Sequence, residues 1–203
     1  MKILFKFLTI TLFLFSNYLY SQDGHFDSAY VILNLNDSGS NTWYDLGAST
    51  GNTDFDGADL GIFDLGSDDL KLIGTQHNMS KCASCNITGS TMYYRIYSYG
   101  SASGGYSGVS TSWNENGWDG CNTQRWQNLS LTTNLLNGLS TGRYTIEIYS
   151  QASTNSCNGD FFDSNSSNNY KANFRIARYS ISNGNWNSNA TWYNSSQPSD
   201  TEY

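Results

Sequence analysis

The sequence is poor in proline, in charge and in basic side chains. It has one proline in 203 residues, and only 13% of its side chains are charged. Disordered chains are richer in both, and 15% of these residues are aromatic, so we expect a folded protein. Lys and Arg number 10 against 17 Asp and Glu, for a formal net charge of −7. This balance argues against nucleic acid and against anionic membranes as partners.

Near its start, the sequence also lacks a hydrophobic run long enough to cross a bilayer. Residues 7–15 are almost wholly apolar and follow two lysines, but the run is too short for a membrane span. This pattern is typical of a secretory signal peptide, with cleavage after Ser21 and a leader of residues 1–21. Cleavage after Ser16 and a retained anchor are the alternatives. We therefore expect a secreted protein, extracellular or at the cell surface, with no membrane insertion after cleavage.

The four cysteines are Cys82, Cys85, Cys121 and Cys157. Disulfides suit an oxidising compartment, and four cysteines allow three pairings. We favour Cys82–Cys85 as a local link and Cys121–Cys157 as a tie between loops. A structural zinc site would need a second closely spaced pair, which the sequence does not offer.

Few residues suggest catalysis. The only histidines are His25, in a predicted polar leader of the domain (residues 22–28), and His77, in a predicted loop. No Gly-x-Ser-x-Gly stretch lies between a predicted strand and a predicted helix, as a nucleophile elbow requires. Glu115 with Asp119, or Glu147 with a loop aspartate, could supply the two carboxylates of a glycoside hydrolase. A surface ion pair suits Glu147 better, so we expect no enzyme.

No stretch of useful length has the helical period, so we predict an all-β protein. Turn signals separate seven or eight strands, which favours a two-sheet Greek-key β-sandwich of the immunoglobulin or fibronectin III kind, spanning residues 22–180. The predicted strands are 29–35, 69–74, 91–99, 106–113, 124–131, 144–151 and 170–177, with a short strand inside the loop 50–69. Residues 43–46 are predicted as a short strand or an edge segment. Residues 75–90 and 152–169 are predicted loops.

The stretch from Leu135 to Tyr144 carries the clearest fold signal. It reads Leu-x-x-Gly-Leu-x-x-Gly-x-Tyr and is followed by alternating apolar residues. It resembles the tyrosine corner of immunoglobulin-like and fibronectin type III sandwiches. In that motif the tyrosine hydroxyl bonds to backbone a few residues upstream, and Tyr144 is our candidate; an ordinary core tyrosine is the alternative.

Four ordered motifs resemble a known group. They lie at residues 56–63, at 88–97, at 124–126 together with 135–149, and at 168–174. Together they are similar to an N-terminal β-sandwich module of secreted Bacteroidetes proteins, many of which look like type IX secretion substrates. The resemblance implies a module that precedes enzymatic or repeat modules, and it supplies no catalytic residues. The spacing of Trp186, Trp192 and Pro198 looks like the start of a β-helix or G8-like module, so residues 181–203 are predicted as a linker or a truncated second module.

A cluster of acidic residues could bind calcium. Asp54, Asp56 and Asp59 surround a glycine and offer the oxygen ligands that Ca²⁺ prefers, without the EF-hand spacing. Solvated turn aspartates are the alternative, and no other cofactor is expected.

Strand parity predicts a polar, ring-bearing sheet face. Successive side chains of a strand point to opposite faces, so one face collects tyrosines and charged groups from three strands. The residues on this face are Tyr93, Arg95, Tyr97, Tyr99, Thr145, Glu147, Tyr149, Lys171, Asn173 and Arg175. Tyrosine rings can stack on sugars, so the face could bind glycan. The alternative is a solvated face held by Tyr–Tyr and Arg–Glu pairs; Trp113 and Trp118 offer a second binding edge or core contacts.

The sequence therefore favours a non-catalytic extracellular accessory module of a larger secreted protein. We expect it to bind glycan or another cell-surface partner, with a downstream module in the same polypeptide. A structural spacer domain is the alternative, and a small secreted glycoside hydrolase is a third hypothesis.

Overall fold

The computed structural model describes residues 24–36, 38–81, 85–101, 104–117, 122–155 and 159–177. The predicted signal peptide (residues 1–21), the predicted tail (residues 181–203), Trp118 and three of the cysteines lie outside these residues. The predictions made on them therefore stay predictions. The described residues form strands, turns and loops, which confirms the all-β prediction. None of their segments is a helix of the length and apolar character that a membrane span requires.

The chain forms thirteen described strands. They are β1 (Gly24–Leu35), β2 (Thr42–Asp45), β3 (Thr53–Asp54), β4 (Asp59–Asp64), β5 (Leu70–Lys81), β6 (Asn86–Ser98), β7 (Ser107–Ser110), β8 (Ser112–Asn116), β9 (Gln124–Asn128), β10 (Thr133–Asn134), β11 (Gly142–Asn155), β12 (Phe161–Asp163) and β13 (Tyr170–Ala177).

The strands form two sheets that pack as a sandwich. Sheet A has the order β3-β2-β1-β5-β9-β8, with β10 paired to β5. Sheet B has the order β4-β13-β11-β6-β7, with β12 paired to β11. Most pairs are antiparallel, whereas β2 with β3 and β4 with β13 are parallel. The predicted two-sheet sandwich is therefore confirmed, and β11 lies between β6 and β13 as the parity argument required.

The core follows from the two-residue period of the strands. On β13 the buried side chains are Tyr170, Ala172, Phe174 and Ile176, and the residues between them are only partly covered. Ile146 and Ile148 of β11 are 1% exposed on the same inner face. Burying one such side chain contributes about 1.5–3 kcal/mol, so the alternation fixes which face of sheet B points inward.

Some predicted loops are strands, and the prediction for residues 75–90 was wrong. β5 continues to Lys81 and β6 begins at Asn86. The stretch looked like a loop because the buried side of β5 includes Thr75 and His77, which are polar. The predicted loop 152–169 was also wrong in part, because β11 runs on to Asn155 and β12 follows.

Two further boundaries were wrong. β1 begins at Gly24, so residues 24–28 belong to a strand rather than to a polar leader. The predicted strand 106–113 is two strands, because the chain leaves sheet B at the end of β7 and enters sheet A with β8.

Tyr144 closes the turn before β11. Its hydroxyl donates to the carbonyl oxygen of Ser140 at 2.9 Å and accepts from the Ser140 backbone N–H at 3.3 Å. Its ring stacks on Phe174 with centroids 5.4 Å apart. The side chain is 7% exposed, so this hydroxyl finds its hydrogen bonds inside the protein. The likeness of the stretch to a known class of sandwich stays a prediction.

His77 bonds to both sheets from within the core. It lies on β5 and is fully buried; its Nδ1 is 2.6 Å from Ser90 Oγ on β6, and its Nε2 is 3.0 Å from Ser150 Oγ on β11. The Ser90 hydroxyl donates to the carbonyl oxygen of Gln151, so it accepts from an N–H at Nδ1. Nε2 is also 3.1 Å from Thr75 Oγ1, whose hydroxyl donates to the Tyr30 carbonyl oxygen. Burial favours the neutral imidazole, in which Ser150 is the donor to Nε2.

Burial lowers the pKa of His77 to about 3, because a charged imidazolium is poorly solvated in the core. An unfolded chain protonates the same side chain near pH 6.5.

We expect acid to destabilise the fold through His77. Between pH 6.5 and about pH 3 the unfolded state binds a proton that the folded state does not bind. The free energy of unfolding should therefore fall by up to about 1.4 kcal/mol per pH unit, and this contribution is complete above pH 6.5. Urea unfolding of the wild type and of His77→Gln, at a series of pH values, should give a smaller fall for the variant.

His25→Gln is the matched control for this series, because His25 is half exposed beside Asp27. If His77→Gln does not fold, a titration of the wild-type imidazole signals by NMR gives the answer. A His77 midpoint near the ordinary value of about 6.5 would contradict the assignment.

A second prediction concerns the Tyr144 hydroxyl. Tyr144→Phe removes the hydroxyl from Ser140 and leaves the ring in place, so we expect a loss of about 1 kcal/mol in the free energy of unfolding. Tyr99→Phe is the control, because Tyr99 is 53% exposed. Equal stability of the two variants in urea titrations would show that the hydrogen bond contributes nothing.

Candidate functional site

The outer face of sheet B carries four rows of side chains. The register places Tyr93 opposite Tyr149, and Thr145 between Tyr97 and Asn173. The rows, in order along the strands, are an aromatic row (Tyr149, Tyr93), a charge row (Lys171, Glu147, Arg95), a polar row (Asn173, Thr145, Tyr97) and a cationic row (Arg175, Arg143, Tyr99). The structure thus brings together the predicted sheet-face residues.

The charge row is built around a buried carboxylate. Glu147 is 3% exposed and accepts hydrogen bonds from four side chains. Nη2 of Arg95 donates to both carboxylate oxygens at 3.0 Å, and the Tyr97 hydroxyl donates at 2.7 Å. The Tyr106 hydroxyl donates at 2.6 Å and Nδ2 of Asn169 at 2.7 Å. Two loops therefore cover Glu147 from outside the sheet.

These contacts shift the pKa values of the cluster in opposite directions. Burial alone would raise the pKa of Glu147, but hydrogen bonds from Tyr106, Asn169, Tyr97 and Arg95 outweigh it and lower the pKa to about 2. Burial, together with the hydrogen bond to Glu147, raises the pKa of Tyr97 and of Tyr106 to about 12. At neutral pH the carboxylate is therefore ionised and both phenols keep their protons.

The aromatic row is covered by the loop that carries Tyr106. Tyr93 and Tyr149 stack with centroids 4.9 Å apart, and Tyr106 meets Tyr149 edge-on at 5.0 Å. The Arg95 guanidinium lies over the Tyr106 ring, 4.6 Å from its centroid. The rings of this row therefore contact one another, and the Tyr–Tyr and Arg–Glu pairs of the alternative interpretation are present.

The polar and cationic rows form the open half of the face. Two depressions of about 390 Å³ each adjoin at Asn173. One is lined by Tyr97, Tyr99, Gly100, Ser101, Thr145, Lys171 and Asn173. The other is lined by Gly57, Ala58, Asp59, Ile62, Arg143, Asn173, Phe174 and Arg175. We call these the tyrosine depression and the arginine depression.

Aromatic and polar groups alternate across this open half. The Tyr99 ring is 53% exposed, and the Arg143 guanidinium stacks over it at 3.7 Å from the centroid. Thr145 Oγ1 donates to Asn173 Oδ1 at 2.8 Å, which orients the amide between the two depressions. A ligand here would meet one ring face, several donors and a few acceptors.

The other predicted site residues lie elsewhere. Trp113 is 53% exposed on β8, at the edge of sheet A, and its Nε1 donates to Asn116 Oδ1 at 3.3 Å. It therefore belongs to a different sheet from the open half. Glu115, also on β8, forms an ion pair with Arg125. Cys85 is buried, and its pairing involves residues that are not described.

The three aspartates of the calcium prediction are exposed, and two of them accept hydrogen bonds from backbone N–H groups. Asp56 accepts from the Lys171 backbone N–H at 2.8 Å, and Asp59 accepts from the Gly61 N–H at 3.0 Å. Within the described ranges, no three His, Cys, Asp or Glu side chains are grouped as metal ligands. The structure therefore does not bring Asp54, Asp56 and Asp59 together, and calcium binding stays a prediction.

Tyr99 was predicted on this face, whereas three other contributors were missed from the sequence. Arg143 extends the outward parity of β11 by one step, so the two-residue period could have identified it. Tyr106 and Asn169 lie in loops, and no sequence period places a loop residue over a given strand.

We expect Glu147 to be a major contributor to stability at neutral pH. Glu147→Gln leaves the Arg95 charge without its carboxylate and should cost about 3 kcal/mol in the free energy of unfolding at pH 7. Glu115→Gln breaks the half-exposed pair with Arg125 and should cost less than about 1 kcal/mol. Similar losses for the two variants in urea unfolding would show that the buried cluster is not special.

The same cluster predicts a second acid dependence. Glu147 has a folded pKa near 2 against an ordinary value of 4.5, so its contribution is complete above pH 4.5 and is lost towards pH 2. The Glu147→Gln variant should lack that part of the acid loss.

No protein-family model matches the chain, and the curated proteins include none with a similar sequence. The functional inference therefore depends on the geometry of the outer face of sheet B.

Proposed function

We propose that this chain is a non-catalytic extracellular accessory module of a larger secreted protein, and that it binds glycan on the open half of sheet B. The observation that carries the proposal is the pair of adjoining depressions, with an exposed tyrosine ring beside hydrogen-bonding side chains. The sequence signal for secretion lies outside the described residues and supports the extracellular part of the proposal.

The chemistry of the tyrosine depression suits a sugar. The faces of a pyranose ring are lined with C–H groups, which pack on an aromatic ring, and Tyr97 and Tyr99 both line this depression. The Asn173 amide and the Lys171 ammonium, which also donates to the Asn168 carbonyl oxygen, provide polar groups for sugar hydroxyls. The Tyr97 hydroxyl is already bonded to Glu147, so binding would not have to order this ring and would lose less entropy.

The carboxylates support a binding role rather than hydrolysis. Glycoside hydrolysis needs two carboxyl groups, one of which carries a proton. Glu147 is buried, ionised and fully hydrogen-bonded, and Glu115 is paired with Arg125. Asp59 is the one carboxylate among the described residues that line the two depressions.

A structural spacer is the second candidate. Its support is the Glu147 cluster, in which Arg95, Tyr97, Tyr106 and Asn169 donate to the buried carboxylate without a ligand. Such a cluster would stiffen a module that holds its neighbour away from a surface.

A glycan array with the wild-type chain separates these candidates. We expect binding that falls about tenfold or more in Tyr99→Ala, because a ring–sugar contact contributes about 0.5–1.5 kcal/mol and buried area adds to it. Phe162→Ala is the matched control, since Phe162 is 55% exposed on β12 and lines neither depression. No binding to any neutral or acidic glycan on the array would support the spacer instead.

The hydrolase hypothesis has its own test. Release of reducing sugar that disappears in Glu115→Gln or Glu147→Gln, with folding verified, would overturn the non-catalytic assignment.

A further inference from the structure

The cationic row places two arginines on neighbouring strands. Arg143 on β11 and Arg175 on β13 are direct cross-strand partners on the outer face. The Cβ atoms of such partners lie about 5 Å apart, and the Arg143 guanidinium is turned towards Tyr99, on the β6 side of β11. Both arginines line the arginine depression. An anion in this open depression would therefore meet two cations.

The positive charge continues into the tyrosine depression. Lys171 lines it, and Asn173 belongs to both depressions. Three cations thus border one open surface of a protein whose formal net charge is −7. An anion that approaches this chain is repelled by much of the protein surface and attracted at this site. We therefore expect anions to bind here rather than non-specifically over the surface.

Stacking leaves the donors of Arg143 available. Its guanidinium lies over the Tyr99 ring at 3.7 Å, so the ring covers one face of the guanidinium plane. The N–H groups lie within that plane and form a fork that matches a carboxylate or a sulfate. The ring also reduces the freedom of the side chain, which lowers the entropy lost on binding.

We infer that the glycan bound by this module is acidic, and that an anionic substituent of the sugar occupies the arginine depression between Arg143 and Arg175. The inference depends on the proposed glycan binding and adds its chemical class. The sugar ring that carries the anion lies towards Tyr97 and Tyr99, and Asn173 lies between ring and charge. A uronate carboxylate and a sulfate ester share this chemistry.

Asp59 sets the strength of the site. It lines the same depression and its Oδ1 accepts from the Gly61 N–H at 3.0 Å. Its charge opposes an anionic ligand, whereas an asparagine keeps the acceptor for Gly61. Asp59→Asn should therefore tighten binding of an acidic glycan and leave the turn intact.

Two pairs of polymers with matched backbones test the inference. Dextran and dextran sulfate differ in sulfate esters, and methyl-esterified and free polygalacturonate differ in ionised carboxylates. Affinity electrophoresis or calorimetry should show binding of at least one charged polymer, and no more than a tenth of that affinity for its neutral counterpart. The pair that responds identifies whether the anion is a sulfate or a carboxylate. High salt should weaken the binding, because the contacts are open to solvent.

Matched variants locate the binding. Arg143→Gln and Arg175→Gln should each weaken binding of the charged polymer about tenfold, the value of one charge-assisted hydrogen bond. Lys81→Gln makes the same change in net charge at the end of β5 in sheet A and should leave binding within about twofold. Asp59→Asn should strengthen it about twofold or more.

The failures of the two proposals are distinguishable. One outcome would overturn only the inference of an acidic glycan. In it, the wild type binds charged and neutral polymers with equal affinity, Tyr99→Ala loses this binding, and the arginine variants keep it. Equal weakening by Lys81→Gln and Arg143→Gln also overturns that inference, because the attraction is then not local. No binding of any polymer or array glycan overturns both.

Discussion

The buried carboxylate of Glu147 determines which parts of sheet B are covered and which are open. Moving a carboxylate out of water costs several kcal/mol, and only a nearly complete set of donors offsets that cost. Arg95 and Tyr97 come from β6, whereas Tyr106 and Asn169 come from two loops that must fold over the sheet to reach it. The loops that satisfy the charge also cover the aromatic row, so the open surface lies at the other end of the strands.

One strand register accounts for both halves. β11 lies between β6 and β13, and each outward residue of β11 has a partner on each side. Glu147 faces Arg95 and Lys171, two steps from Arg143, which faces Arg175. Residues of opposite charge are cross-strand partners in the charge row, and two arginines are cross-strand partners in the cationic row of the same face. A slip of one residue would exchange the inner and outer faces, so the apolar core that fixes the register also fixes these pairings.

Strand parity made the sheet face predictable, because a two-residue period assigns Tyr93, Tyr97 and Glu147 to one side without any tertiary information. The cover over Glu147 was not predictable. Tyr106 and Asn169 lie 41 and 22 residues from it along the chain, and loop conformation decides their approach. The loop predicted around His77 was wrong for a different reason. Polar residues around it indicated a loop, whereas hydrogen bonds to Ser90 and Ser150 of the opposite sheet make its burial favourable.

Tyr97 connects the sealed half to the open half. Its hydroxyl donates to Glu147, and its ring lines the tyrosine depression. Because the hydroxyl is held by a buried charge, the ring has one orientation before any ligand arrives, and a ligand need not order it. Tyr99, one step further along β6, has no such anchor in the cluster and is held by Arg143 instead. Stabilising contacts and possible ligand contacts are thus separated along β6. The buried Glu147 carboxylate orients the Tyr97 ring, whereas the Tyr99 ring is oriented by Arg143, which itself lines the open surface that a ligand would touch.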